Sequence, residues 1–456
     1  MKGSSQIMAG PIEASIGGQH MAIIMTSTAD STASSTSGRQ WILVFVLFMA
    51  SILNTADRMG ISIAATQITE ELQISPVEMG YLLSSFFWTY AIGQIVAGWF
   101  IDRYPVKWVF GIGFVIWTLA TFFTGYAQGL LMLLVLRLIL GAGESVAFPA
   151  YSKVVASEFP ASRMGLPNAI LNSGAKVGAA LGMLIGGVLI ANYGWRVMFF
   201  VLGGVGVVFL VPWFLFGPSA KKPPQQAKEV DQGPTFWEIL RTRDAWGTFL
   251  GQSGYMYAYT FGLTWLPTYL IQQRHISLAK MGVLGALPFW GAAIFAIIAA
   301  YIADAMITKG GSATKIRKGF VATGLVLSMA SYPSAVVEDL TVSLILLNIS
   351  YAGMGIITSN HWAITQTLSG KLASGRWSGV QNCIGSAMGI VAPIASGYIV
   401  QQTGDYSLAF LVMVIFAFIG LIGWVFVVGP IKPIDWEARR KQHEDSQQSR
   451  LDGGTQ

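Results

Sequence analysis

Five ionisable side chains stand in stretches that are otherwise apolar: Asp57, Arg58, Arg137, Glu144 and Lys176. A charged group at the centre of a bilayer costs at least ~2.5–3.5 kcal/mol on insertion scales, so charge placed there marks use. The run from Gln40 to Thr69 carries no charge besides Asp57 and Arg58. Successive helical residues point ~100° apart, so one of the two can line a cavity while the other reaches an adjoining helix. Arg137 and Glu144, seven residues apart, share a helix face at a separation of ~10 Å. That spacing is too long for a direct ion pair and leaves room for a substrate or a third side chain. Lys176 lies within Asn172-Ser-Gly-Ala-Lys-Val-Gly-Ala-Ala-Leu-Gly182, whose glycines permit close helix packing; its ammonium either faces a cavity or pairs with an acid. With both acids ionised the group sums to +1, and with both protonated to +3. A pocket that stays cationic favours an anionic cargo, and more so when its acids hold protons. That is a physical route to proton–anion coupling. A charge network clamping the helices together is the simpler alternative, and the two roles are compatible.

The elements that must hold these groups are membrane helices. Only 11% of the 456 residues are charged and 53% are hydrophobic, against about 25% charged in ordinary soluble chains. The net charge of +6 does not point to nucleic acid, because the Lys and Arg fall in short loops between apolar runs. The lone Cys383 excludes a disulfide framework and a Cys-based zinc site, and the four histidines lack ligand spacing, so no metal site is expected. Apolar runs long enough to cross ~30 Å of hydrocarbon are placed at 40–68, 78–100, 108–127, 129–153, 165–191, 196–216, 245–272, 281–304, 319–336, 341–367, 376–401 and 406–428.

The fold class is therefore an all-α membrane protein of twelve transmembrane helices in two six-helix pseudo-repeats. The expected division is a disordered cytoplasmic tail at 1–38, a first half at 39–216, a cytoplasmic linker at 217–244, a second half at 245–430 and a cytoplasmic tail at 431–456. Arg103, Lys107, Lys153, Lys221, Arg241, Lys315, Arg317 and Lys371 fall on one side under this count, and Glu70, Glu71, Glu78, Glu338, Asp339 and Asp405 on the other. The basic side is expected to face the cytoplasm, with both termini in it. Gly98-Trp-Phe-Ile-Asp102-Arg103 ends helix 2 and Tyr301-Ile-Ala-Asp304 ends helix 8, so the halves echo one another. In such repeats the substrate site is expected between the halves near the midplane.

The second half offers neutral polar groups. They include Tyr255 and Tyr259 on helix 7, Ser359 and His361 on helix 10, and Gln381 and Asn382 on helix 11. Such groups suit hydroxyls or a second carboxylate. Trp88 and Tyr90 on helix 2 are candidate cavity walls.

Gly98-x-x-x-Asp102-Arg103 with Lys107 resembles the loop 2–3 signature of the major facilitator superfamily, with Pro105 where that signature usually has glycine. Asn54-Thr-Ala-Asp57-Arg58, Arg137-Leu-Ile-Leu-Gly-Ala-Gly-Glu144-Ser-Val-Ala-Phe-Pro149, Gly194-Trp195-Arg196 and Gly379-Val-Gln-Asn382 are similar to its anion:cation symporter family. That family includes bacterial galactonate, glucarate and hexuronate permeases, phthalate- and tartrate-type permeases, and animal sialic-acid and vesicular glutamate carriers. The resemblance spans about 40–430. It implies that Arg58 and Arg137 handle a carboxylate, that Asp57 and Glu144 handle protons, and that Asn382 meets sugar hydroxyls. Gly98, Asp102 and Arg103 take the gating role of the loop signature. Thr55 stands where sugar-acid members often have Tyr, and Lys176 where a neutral residue is common; an extra cation suits a dicarboxylate or an aromatic acid.

The expected activity is proton-coupled uptake of a small organic anion such as a sugar acid, dicarboxylate or aromatic carboxylate. The protein is expected as a monomer in a bacterial-type inner membrane, with lipid around it and protons as coupling ion in place of any cofactor. An uncoupled facilitator or exporter shares the fold, and a membrane ligand sensor is the rival of another class. No Ser/His/Asp set, phosphate loop or cofactor motif points to an enzyme.

Overall fold

The computed structural model describes residues 38–159, 164–218, 233–436 and 438–439. Every regular element among them is helical. The long helices are α1 (Gly38–Leu72), α2 (Pro76–Arg103), α3 (Val106–Thr124) and α4 (Leu130–Glu158). Next come α5 and α6, which form one stretch, Gly165–Phe216, divided at Gly194. After a short helix, Phe236–Leu240, follow α7 (Arg243–Gln272), α8 (Leu278–Thr308), α9 (Ala313–Val336), α10 (Leu340–Gly370), α11 (Ala373–Thr403) and α12 (Ser407–Val427).

Nine helical stretches among the described residues are long and apolar enough to cross a membrane, the α5–α6 stretch being one of them. The helices α2 and α7 are 28 and 30 residues long; they are less apolar, and α7 carries Gln252, Ser253 and several tyrosines. The count is consistent with twelve spans. The helices overrun the apolar runs that announce them: α1 is 35 residues long, about 52 Å at 1.5 Å per residue, so its ends project from the hydrocarbon.

Local chemistry sets the boundaries. Ser75 and Glu78 form a capping box in front of α2, with Pro76 in its first turn. Asp339 caps α10, its side chain accepting from the Val342 amide at 2.8 Å. Gly194, at φ 82°, breaks α5 from α6 in a region open to glycine and closed to most residues. There Trp195 donates its indole N–H to Glu71 at 2.7 Å, and Arg196 pairs with the same carboxylate. The Gly194-Trp195-Arg196 motif thus ties the α5–α6 turn to the end of α1. A surface recess of about 480 Å³ lies at this turn, lined by Gln67, Glu71, Tyr193 and Arg196 among others, away from the charged groups of α1 and α4.

Among the described residues, the contacts between the two halves gather toward one end. Ser62 of α1 donates to the Thr264 carbonyl of α7 at 2.5 Å, and the Val77 amide of α2 donates to Gln401 of α11 at 3.1 Å. Gly187 of α5 lies against Gly282 of α8, and Gly80 of α2 against Pro393 of α11. All these contacts lie toward the end bearing Glu70, Glu71, Glu78 and Asp405, here termed the acidic end. The apolar packing divides in the same way. One core runs from the acidic end of the first half through the whole second half, while Leu43, Val44, Val46, Leu47, Phe110, Phe114, Trp117, Val154 and Trp213 belong to a separate core of the first half.

At the basic end each half is tied to itself. Lys153 pairs with Asp102 at 3.0 Å and Arg317 with Asp304 at 3.1 Å, so the echo between helices 2 and 8 extends to the ion pairs they make. Among the described residues no hydrogen bond or ion pair is seen to join the halves at this end, and Gly98 of α2 and Gly375 and Gly379 of α11 border open space, so a cleft opens between the halves toward the basic end.

The expected tail at 1–38 lies outside the described residues except for Gly38, as does half of the linker, 219–232. The stretch expected as linker holds a helix, Phe236–Leu240, started by a Thr235–Glu238 capping box. Residues assigned to the C-terminal tail begin by docking: the Ile434 amide donates to the Leu368 carbonyl at 3.0 Å and the Trp436 indole to the Ser369 carbonyl at 3.1 Å.

At Gly187 a Cβ would stand 2.6 Å from the Gly282 Cα. Gly187→Val overpacks the acidic-end seal, a change of typically ~1–3 kcal/mol, and should draw the basic ends together. Spin labels at Arg103 and Gly375 in a Cys383→Ser background should report a shorter distance in the variant. An unchanged distance distribution would contradict a cleft held open by that seal.

Candidate functional site

Arg58 sits near the middle of α1 and is the hub of the buried charges. Its Nε donates to Glu144 Oε2 at 2.9 Å, and one terminal nitrogen donates to Asn54 Oδ1, one turn back on α1, at 3.1 Å. The guanidinium lies over the rings of Tyr90 and Phe86 of α2, 4.5 and 4.6 Å from their centroids. Three helices thus fix its plane. Its side chain keeps 17% of its exposure, whereas that of Glu144 keeps none. Arg137 is buried, donates from one terminal nitrogen to the Arg58 carbonyl at 3.4 Å, and approaches Phe86 at 5.3 Å. The gap that two helical turns leave between Arg137 and Glu144 is therefore filled by Arg58.

Asp57 turns the other way. It is buried and faces α3, where Trp117 and Thr121 meet it, while Glu144 and Arg137 act on it through space. The ~100° between neighbours on a helix is realised: Arg58 reaches the cleft and Asp57 the neighbouring helix. Oδ1 of Asp57, Oε1 of Glu144 and Nε of Arg137 are buried with no hydrogen-bond partner among the described residues. Buried polar atoms are ordinarily satisfied, so these three mark a polar cluster built with spare capacity.

From the other half, Tyr259 of α7 lies within electrostatic reach of Arg58. It stacks on Tyr255, whose hydroxyl meets Thr358 of α10 at 3.2 Å. The charged cluster of the first half thus faces an aromatic, hydroxyl-bearing wall of the second. Asn382 shares a face of α11 with Gly389 and Pro393, spaced by seven and four residues, and those two contact α2. Asn382 is exposed, so it lines the cleft on the basic side of that contact. Lys176 likewise shares a face of α5 with Met183 and Gly187, which contact α8, and is half-buried.

Other expected site residues lie elsewhere. Trp88 falls in a stripe with Tyr81, Ile92, Ile95 and Trp99, all exposed and spaced at helical intervals. The stripe points away from the face of α2 that meets α4 and α11, so Trp88 is a lipid-facing residue and not a cavity wall. Tyr90, two positions on, faces inward. His361 is fully buried inside the second half against Tyr255 and Trp424, with Nδ1 bonded to Ile357, and so stands behind the wall. The side chain of Ser359 lies outside the described residues.

At the basic end, Asp102 pairs with Lys153 of its own half, Arg103 lies over Trp99 at 3.9 Å, and Gly98 borders open space. None of the three is seen to bridge the halves among the described residues. Sequence reasoning gave no role to Phe86, and it offered Tyr259 only as one of the neutral polar groups of helix 7. A phenylalanine in an apolar helix carries no signal, whereas the Tyr255–Tyr259 spacing on one face of α7 was the clue available.

A family model described as Major Facilitator Superfamily matches residues 47–393. The "Probable galactarate/D-glucarate transporter GudP" of Escherichia coli K12 is 30% identical over 442 residues, covering 90% of this chain and 98% of that protein. The "D-galactonate transporter" of Escherichia coli O6:H1 is 28% identical, covering 88% and 98%. The "Ascorbate transporter, chloroplastic" of Arabidopsis thaliana is 30% identical, covering 86% and 75%. The crystal structure of a bacterial homolog of the human lysosomal transporter Spinster has the same fold, with a TM-score of 0.74 at 16% identity, covering 87% of this chain and 98% of its own.

Removing one partner of a buried ion pair is costly, whereas replacing both by apolar groups is often neutral. Glu144→Ala should lower the melting midpoint of the purified protein by several degrees, and Arg58→Met with Glu144→Leu should recover most of that loss. Equal midpoints for Glu144→Ala and the parent would mean the pair holds nothing in place.

Proposed function

The chain belongs to the Major Facilitator Superfamily, and we propose that it transports organic anions across a membrane by symport with protons. The observation that carries this reading is the Arg58–Glu144 pair. A cargo carboxylate needs the same guanidinium that Glu144 holds. Charge-assisted bonds of this kind are roughly twice as strong as neutral ones, and Arg accepts a carboxylate in a bidentate fork. With Glu144 ionised, its own carboxylate competes for Arg58. A proton on Glu144 removes its charge and leaves Arg58 free to take cargo. Proton and anion binding thereby assist one another, as reciprocal coupling requires.

Asp57 extends the scheme. Like charge on Asp57 and Glu144 disfavours ionising both, and Arg137 offsets that repulsion from close by. The cluster of Asp57, Arg58, Arg137 and Glu144 is neutral when all four are ionised and +2 when both acids hold protons. Cargo affinity should follow that balance. The cleft open at the basic end with the pair formed fits a state after cargo release. We place that end in the cytoplasm from its Lys and Arg, so protons and anion enter together from the acidic side. The relatives' named cargoes are sugar acids and ascorbate, which suits a wall of hydroxyl and amide groups at Tyr255, Tyr259 and Asn382.

The test is uptake of labelled galactarate and D-galactonate into proteoliposomes with an imposed proton gradient. The parent should accumulate at least one of these acids above its outside concentration. Glu144→Gln, fixed in the neutral form, should still exchange labelled for unlabelled acid yet lose gradient-driven accumulation. Arg58→Lys, which keeps the charge but loses the fork, should bind about tenfold to a hundredfold more weakly, given ~1.5–3 kcal/mol for hydrogen bonds to charged groups. Accumulation by Glu144→Gln equal to the parent's would exclude coupling through this residue.

A further inference from the structure

Lys176 has no place in the cluster around Arg58. Among the described residues the ion pairs are Arg58–Glu144, Lys153–Asp102, Arg196–Glu71 and Arg317–Asp304, and none includes Lys176. No hydrogen bond from its ammonium is found among them, and the titratable group that senses it across the cleft is His361, which offers no negative charge. A half-buried ammonium without an anion is an expensive arrangement. Its side chain shares the face of α5 that meets the second half, so it borders the cleft and not the lipid.

Its level in the membrane follows from the glycines beside it. Gly174 packs on Ser51 of α1, Gly178 on Ile52 and Gly182 on Ala56. Lys176 therefore stands level with Ser51 and Ile52. Arg58 is six or seven residues further along α1, about 10 Å at 1.5 Å per residue. The flexible four-carbon stem of lysine can shorten that gap. The cleft consequently has two cationic poles, one at its inner end and one nearer the basic opening.

Resting on the anion-carrier reading above, we infer that Lys176 binds a second carboxylate of the cargo and makes the protein selective for dicarboxylates over monocarboxylates. One carboxylate meets Arg58 and the other meets the Lys176 ammonium. The hydroxyls between them face Tyr259 and Asn382. Arg58 orients the cargo through a planar fork, while Lys176 supplies a point charge that accepts several geometries.

Galactarate and D-galactonate test this, because they share a six-carbon polyhydroxy chain and differ in whether the far end is a carboxylate. Affinities are measured by isothermal titration on the purified full-length protein, and phthalate against benzoate serves as a second matched pair. The parent should favour the diacid of at least one pair by about tenfold or more, as an ion-assisted bond predicts. Lys176→Gln should bring that ratio close to one, and Lys176→Arg should restore most of it. Such a pattern cannot come from a misfolded variant, since monoacid binding is read in the same sample. A ratio near one in the parent, or a ratio that Lys176→Gln leaves as it was, overturns the assignment. Absence of binding by all four acids to the parent would overturn it together with the anion-carrier reading, whereas monoacid binding without diacid preference overturns the Lys176 role alone.

Discussion

A guanidinium in a low-dielectric interior must have a counter-charge, and that constraint organises the first half of this protein. Arg58 meets it with Glu144 and is held flat on Tyr90 and Phe86. Because α1, α2 and α4 all contribute, none of the three can move far without breaking the arrangement. The same constraint makes the pair exchangeable. On the proposed reading, a cargo carboxylate takes the place of Glu144 once Glu144 loses its charge. Structural and transport roles thus rest on one bond.

Around that bond the molecule divides its packing unequally. Glycines let α1 and α5 approach within each other's side-chain layer, which makes the first half a stiff unit, and Gly187 and Gly80 let the two halves meet at the acidic end. Small residues at helix crossings provide close van der Waals contact where lipid supplies no hydrophobic drive. At the basic end, among the described residues, each half is tied to itself through Asp102–Lys153 and Asp304–Arg317. In the proposed transport cycle, rocking about the centre would exchange one set of close contacts for another and leave the charged cluster intact.

The second half takes part without charge. Its buried Gln252, Gln381 and Thr365 bond to one another in a chain linking α7, α10 and α11, with Gln381 to Gln252 at 3.3 Å and Thr365 to Gln381 at 2.9 Å. Gln252 shares the face of α7 that carries Tyr255 and Tyr259, so this chain of bonds continues that polar face. One half thus supplies charge and the other a polar, aromatic wall. On the proposed reading, a substrate between them would contact both halves and so bias their relative position.

Much of this was legible in the chain. Apolar runs, the Lys and Arg bias and the echo of Asp102 in Asp304 gave the helices, their ends and the repeat, because hydrocarbon demands apolar length and internally satisfied backbone wherever a helix crosses. Four of the five interior charges, Asp57, Arg58, Arg137 and Glu144, gather in the candidate site, and Lys176 stands apart from them. What sequence could not supply was partnership and direction. The ~10 Å spacing on α4 left a place for a third group, but only the packing of α1 against α4 made that group Arg58. Trp88 and Tyr90 look alike in a sequence, yet two residues on a helix is about 200°, which sends one to lipid and the other to the guanidinium. His361 went behind Tyr255, and Lys176 to the cleft without an acid, because those outcomes depend on how α5, α7 and α10 rotate against their neighbours. Hydrophobicity is a property of single residues and is written along the chain. The pairing of charges across helices depends on rotation and register, which arise only when the helices pack.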